Sequence, residues 1–220
     1  MSLESRKTAH LSDPGGELVD QVVGFWERYQ RVILGAAAVI VVVAAGTFFT
    51  MRSRASQEDE AAGKLAEANV LFWQGDYPHA QQLAKQVAEQ FGGTPSGVDA
   101  HRLAGDAAFW AGDFKTAVTE YQQYLSHQKN GLLAHAARRS LAYALESSQQ
   151  FAPAVPIYDQ LVGIFDRESS AEFLMAAARC EQRLGQSAEA AKRLQHLLDE
   201  YGDTSPAGRA REMMGELGAH

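Results

Sequence analysis

Two segments thirty-seven residues apart, Trp73-Gln74-Gly75-Asp76-Tyr77 and Trp110-Ala111-Gly112-Asp113-Phe114, carry one pattern of aromatic, glycine, aspartate and aromatic residues. A chain that repeats at such a period is confined to stacked supersecondary units, each unable to bury its apolar face alone. Gln149-Gln150-Phe151 follows thirty-seven positions later and Gly185-Gln186-Ser187 thirty-six beyond that, each between two stretches of helical periodicity. Five residues after each turn stands an alanine, at 80, 117, 154 and 190; seven before it stands a small residue, Ala68, Gly105, Ala142 or Ala178. Where two helices cross, small residues let the backbones approach while larger neighbours fill the groove. Tyr121, Tyr158 and Leu194, with Ala84 in the first unit, follow the second alanine by four and share its face.

These residues, over about positions 61–201, resemble the tetratricopeptide family: a small residue in the first helix, a Gly-Asp-Tyr-like turn and an alanine early in the second helix. The third unit departs by lacking glycine at its turn, and the fourth by lacking the aromatic. The surplus over the family's usual thirty-four residues is expected in the connections Phe91–Gly97, His127–Gly131 and Asp166–Ser170. Phe91-Gly92-Gly93-Thr94-Pro95 and Tyr201-Gly202-Asp203-Thr204-Ser205-Pro206 are alike, with glycine to end one helix and proline to open the next. A last helix to about Leu217 is expected to cap the exposed end of the stack. The expected fold is therefore all-α: one N-terminal transmembrane helix, then an α-solenoid of about four hairpins with a C-terminal cap.

The transmembrane assignment rests on Val32–Met51, twenty residues without a charge. At about 1.5 Å per residue such a helix crosses roughly 30 Å of hydrocarbon. Arg28 and Arg31 before it and Arg52 and Arg54 after it, with Trp26 and Tyr29, suit the headgroup boundaries. An uncleaved anchor is expected rather than a signal peptide, because thirty-one residues precede the run and no convincing small-x-small cleavage site is offered before Arg52. Gly35, Ala38 and Ala45 can share one stripe for packing against another membrane helix. Leu18, Val22, Phe25, Trp26 and Tyr29 predict an amphipathic juxtamembrane helix over 17–31, after a polar tail at 1–16 broken by Pro14-Gly15-Gly16. Residues 52–60 read as a linker, and 61–220 as the repeat domain. The layout is similar to the ancillary subunit of the bacterial Sec translocon, which implies the bacterial inner membrane, the tail cytoplasmic and the repeats periplasmic.

The formal net charge of −7 is spread over both sides of the apolar run, so no basic face exists to displace counterions from nucleic-acid phosphates. The single cysteine, Cys180, rules out an internal disulfide and reads as a small buried apolar residue within an alanine-rich helix. No histidine pair has helical metal-site spacing, and Gly92-Gly93-Thr94-Pro95-Ser96-Gly97 lacks the Gly-Lys-Ser/Thr ending of a phosphate loop. No hydrolase elbow, dinucleotide fingerprint or kinase set is present. No cofactor and no enzymatic activity are expected.

Stacked hairpins leave a groove lined by their first helices, where segments of other proteins bind. Register places Lys64, Asn69, His101, Arg102, Asp106, Arg138, Arg139 and Met175 there. The expected partners are peptide segments, other membrane proteins and the bilayer, and the expected role is a membrane-anchored scaffold or adaptor. An accessory structural subunit of a larger energy-transducing membrane complex, photosynthetic or respiratory, is the alternative that the same features fit.

Overall fold

The computed structural model describes residues 14–218, with side chains from residue 22 onward, and among these every regular element is an α-helix. In chain order they are α1 (Pro14–Trp73), α2 (Tyr77–Gln90), α3 (Pro95–Trp110), α4 (Phe114–His127), α5 (Leu132–Ser147), α6 (Phe151–Leu161), α7 (Arg167–Arg183), α8 (Ser187–Tyr201) and α9 (Pro206–Gly218). The chain divides into two units, residues 1–54 and 55–220. The polar tail expected over 1–16 lies, as far as residue 13, outside the described residues.

In the first unit α1 already includes Pro14, Gly15 and Gly16, which were expected to precede the helix. Proline is compatible with a first helical turn because its missing N–H would be unpaired there anyway. The apolar run is helical, and its most apolar stretch is not buried at all. Val32, Ile40, Val42 and Phe49 are exposed, as are Gly35, Ala38 and Ala45, so no described residue covers this stretch as a protein core would. Trp26 and Tyr29 stand exposed beside Arg28 and Arg31, and Arg52 and Arg54 stand exposed at the other end of the run. Residues 52–60 are also helical: they contain neither glycine nor proline to break α1.

The second unit is a stack of hairpins. The end of α1 pairs with α2, α3 with α4, α5 with α6 and α7 with α8, while α9 covers the far side of α7 and α8. All four hairpin turns use one hydrogen-bond scheme. The N–H of Asp76, Asp113, Gln150 and Gln186 donates to the carbonyl of Leu71, Ala108, Leu145 and Glu181, at 3.0, 2.8, 2.8 and 2.9 Å. This is the Schellman closure, which needs a left-handed residue just before that donor. Gly75, Gly112 and Gly185 supply it at φ 83°, 81° and 75°. The third turn keeps the geometry without glycine: Gln149 sits at φ 61°. The absent glycine therefore changes strain, not shape.

Asp76 and Asp113 then cap the second helices, accepting from the N–H of His79 at 3.5 Å and Thr116 at 3.2 Å. The connections between hairpins differ in extent from expectation. They span 91–94, 128–131 and 162–166, because Thr94 and Asp166 act as N-caps and pull Gly97 and Ser170 into helices. Pro156 inside α6 cannot donate a helical hydrogen bond, and α6 is the shortest helix at 11 residues.

The core is built from the repeated small residues and their large neighbours. Ala68, Gly105, Ala142 and Ala178 are all buried, as are Tyr121, Tyr158 and Leu194 on the second helices. A Cβ at Gly105 would come within 2.8 Å of the Tyr121 ring. Cys180 belongs to this core, and burial pushes its thiol up to about 12, which makes it inert as a nucleophile at neutral pH.

Two results are expected in chemical denaturation of the full chain. Gln149→Gly relieves the left-handed strain and raises stability by about 1 kcal/mol. Gly105→Ala, despite gaining helix propensity, lowers stability by about 1 kcal/mol net through overpacking on Tyr121, whereas the same change at Gly63, which has open space, raises it by up to about 1 kcal/mol.

Candidate functional site

The first helices of the later hairpins carry two adjoining clefts of about 300 Å³ each. The first is lined by Asp106, Phe109 and Trp110 of α3, Tyr121 of α4, and Arg139, Ser140 and Tyr143 of α5. The second runs from Arg139 and Tyr143 to Glu172 and Phe173 of α7 and Pro206 and Arg209 of α9. Helical spacing explains the lining: Asp106 and Trp110, and likewise Arg139 and Tyr143, are four apart and fall on one face.

The Tyr121 hydroxyl, emerging from the core beside Gly105, donates to Asp106 Oδ1 at 2.8 Å, and Arg102 Nη1 donates to Asp106 Oδ2 at 3.0 Å. Burial pushes the Asp106 carboxyl above its usual range, against the Tyr121 hydroxyl and the Arg102 guanidinium, which both favour its charged form. One hairpin along, the Tyr158 hydroxyl donates to Glu146 Oε2 at 2.6 Å, and Arg179 Nε donates to Glu146 Oε1 at 3.1 Å. Arg179 also meets Glu172 at 3.4 Å, and Glu172 receives Arg209 from the cap. Half-buried networks of this kind fix side-chain positions on the cleft floor.

Of the residues expected to line the groove, Arg102, Asp106 and Arg139 are brought together here. His101 turns to the other side of α3, where its Nδ1 lies 2.7 Å from Glu120 Oε2, and Lys85 of α2 approaches Glu120 at 3.7 Å. Glu120 is only 6% exposed, so this trio ties three helices together rather than facing a ligand. Lys64 is held over the Phe91 ring at 4.9 Å and donates to Gln90 at 3.2 Å. Asn69 donates to the Leu65 carbonyl at 2.9 Å, and Arg138 binds the Lys129 carbonyl in the α4–α5 connection. Met175 is buried against α8 and α9, which corrects its placement in the groove. Its position on α7 falls on the stripe facing the cap, and α7 is covered on more sides than the earlier first helices.

Phe109, Trp110, Tyr143, Glu172, Arg179 and Arg209 were missed. Trp110 was read only as part of a turn signature, yet it is 64% exposed and leans over the cleft. The signal for it and for Tyr143 was present in the four-residue spacing from Asp106 and Arg139. Among the described residues no group of three histidine, cysteine or acidic side chains could hold a metal ion.

Stacked helical hairpins whose first helices present fixed clefts define an α-solenoid scaffold that holds other proteins. The chain belongs to the tetratricopeptide repeat-like domain family, whose model matches residues 24–173, and a tetratricopeptide repeat model matches 172–204. Among solved structures it is similar to tetratricopeptide-like repeats of a putative kinesin light chain from Podosopora anserina, at 20% identity over 73% of this chain and 86% of that one, TM-score 0.56. It is similar as well to YrrB, a tetratricopeptide protein with an unusual peptide-binding site, at 17% identity over 71% of this chain and 75% of that one, TM-score 0.56. A tetratricopeptide repeat protein from Parabacteroides merdae is similar at 14% identity over 73% of this chain and 61% of that one, TM-score 0.60. Likeness at these identities shows the fold. No curated protein matches the chain.

The raised Asp106 value carries a pH signature. A carboxyl whose folded value exceeds its unfolded one binds its proton more tightly when folded, so it opposes folding above both values and relents as pH falls through the folded value. The wild type is therefore expected to gain stability relative to Asp106→Asn between pH 7 and pH 4 in denaturant titrations.

Proposed function

We propose that this protein is a single-span membrane scaffold that uses the clefts of α3, α5, α7 and α9 to hold an extended segment of another protein. The observation that carries the membrane part is the uncovered apolar helix: exposing such a surface to water costs about 25 cal/mol per Å², and a bilayer removes that cost. The family match begins at residue 24, ahead of the apolar run, and continues through the repeats. That continuity supports a retained anchor over a removed leader, since the run and the repeats fall within one family unit.

The binding part rests on the clefts, which combine an ordered aromatic wall with charged groups already held in place, so that little is lost in ordering them around a partner. The carboxylates that line them are engaged by donors of the protein itself, and the reading is of a holder, not a catalyst. The arrangement of tail, anchor and repeats further supports a place in a bacterial inner membrane, with the repeats on the periplasmic side and other membrane proteins as partners.

Membrane fractions washed at high pH should retain the full chain, whereas replacing Ile40, Val42 and Ala44 together by arginine should release it. A photo-crosslinker at Tyr143 should capture a protein partner in cells that the same group at Lys115, on the outward side of α4, does not. Release of the wild type by the wash, or equal capture from both positions, would contradict the proposal. Protease added to spheroplasts should digest the repeats; their protection would reverse the orientation.

A further inference from the structure

The two clefts hold an uneven share of charge. Asp106 is engaged by Tyr121 and Arg102. Glu172 is engaged by Arg179 and Arg209, and Glu168 accepts the N–H of Ser205 at 3.1 Å. Each carboxylate bordering the clefts thus already has its donor. Arg139, which borders both, makes no salt bridge among the described residues; its guanidinium carbon lies 5.4 Å from the centre of the Phe165 ring. Contact with a ring face leaves the guanidinium N–H donors, which lie in its own plane, free to point at an acceptor.

Beside Arg139 stands an apolar surface that is fixed before anything binds. Trp110 stacks on Tyr77 at 6.1 Å and an interplanar angle of 23°, and meets Phe109 edge to face at 6.4 Å and 84°. Phe109 is braced in turn by Phe114 at 5.3 Å. A ring held on two sides offers contact area without the entropy cost of arresting a free side chain.

Taking the clefts as the segment-binding site, we infer that the occupant is an acidic–apolar segment. It is an extended stretch of a partner protein in which an aspartate or glutamate stands two residues from a large apolar side chain. The carboxylate pairs with Arg139 and the apolar side chain rests on Trp110 and Phe109. An extended chain places alternate side chains on one face about 7 Å apart, which is the linear size of a cleft of about 300 Å³. Arginine and a carboxylate fit as a two-pronged pair, stronger than neutral hydrogen bonds. A basic or uncharged segment would instead cover Arg139 and leave its charge without a counter-ion, an unfavourable desolvation.

The test is selection of random nonapeptides displayed on phage against the full-length chain in mild detergent. Enriched peptides should carry an acidic residue two positions from leucine, isoleucine or an aromatic. A synthetic peptide from that set should bind Arg139→Gln and Trp110→Ala about tenfold more weakly than wild type, with unchanged circular dichroism. Arg139→Lys, which keeps the charge and loses the fork, should fall between. Enrichment of basic or uncharged peptides, or wild-type affinity in Arg139→Gln, overturns the inference while leaving the clefts as a binding site. Absence of any enrichment overturns the segment-binding reading itself, and the inference with it.

Discussion

The contact between the Tyr121 ring and the bare backbone of Gly105 sets the geometry from which the rest follows. A ring 2.8 Å from where a Cβ would stand means that Tyr121 of α4 approaches the α3 backbone more closely than a side chain at position 105 would permit. That approach buries the tyrosine and carries its hydroxyl through the hairpin to Asp106, so the same side chain closes the core and braces the cleft floor. Tyr158 does both jobs in the next hairpin, against Ala142 at the equivalent small position and Glu146 as the acceptor. Core packing and cleft geometry are one arrangement seen from two sides.

Polar ties between hairpins join residues about one repeat apart in sequence. Glu58, early in the repeat part of α1, accepts both the hydroxyl and the N–H of Ser96 at the start of α3, at 2.7 and 3.1 Å, and these bonds hold its carboxyl below the usual range. Glu168 at the start of α7 accepts the N–H alone of Ser205, just ahead of α9. Arg167 reaches Asp203 at 2.7 Å, but this pair is open to solvent and contributes little on its own. Such links orient one first helix against the next, while the apolar contacts supply the stability.

The repeat period, the turn positions and the small-residue crossing could all be read from spacing, because each is a local rule repeated four times; the cap followed from the apolar edge that a stack leaves at its end. The ends of the connections could not, since Thr94 and Asp166 decide them by capping and capping competes with loop formation over single residues. The cleft was half legible. Arg102, Asp106 and Arg139 lie where register put them, but His101 on the same helix was drawn away by a buried glutamate from α4, a tertiary partner that no periodicity announces. Met175 failed for a related reason: α9 exists only once, so the helix it covers does not follow the exposure pattern of its predecessors.

The last helix is more than a lid on the apolar edge. Pro206 and Arg209 form the far wall of the second cleft, with Arg209 bound to Glu172 below it. The second cleft is therefore bounded at its C-terminal side, with α9 as its fixed stop. Lengthening the stack by duplicating a hairpin would have to happen upstream of α7, because a unit added after α8 would separate the stop from the residues it completes.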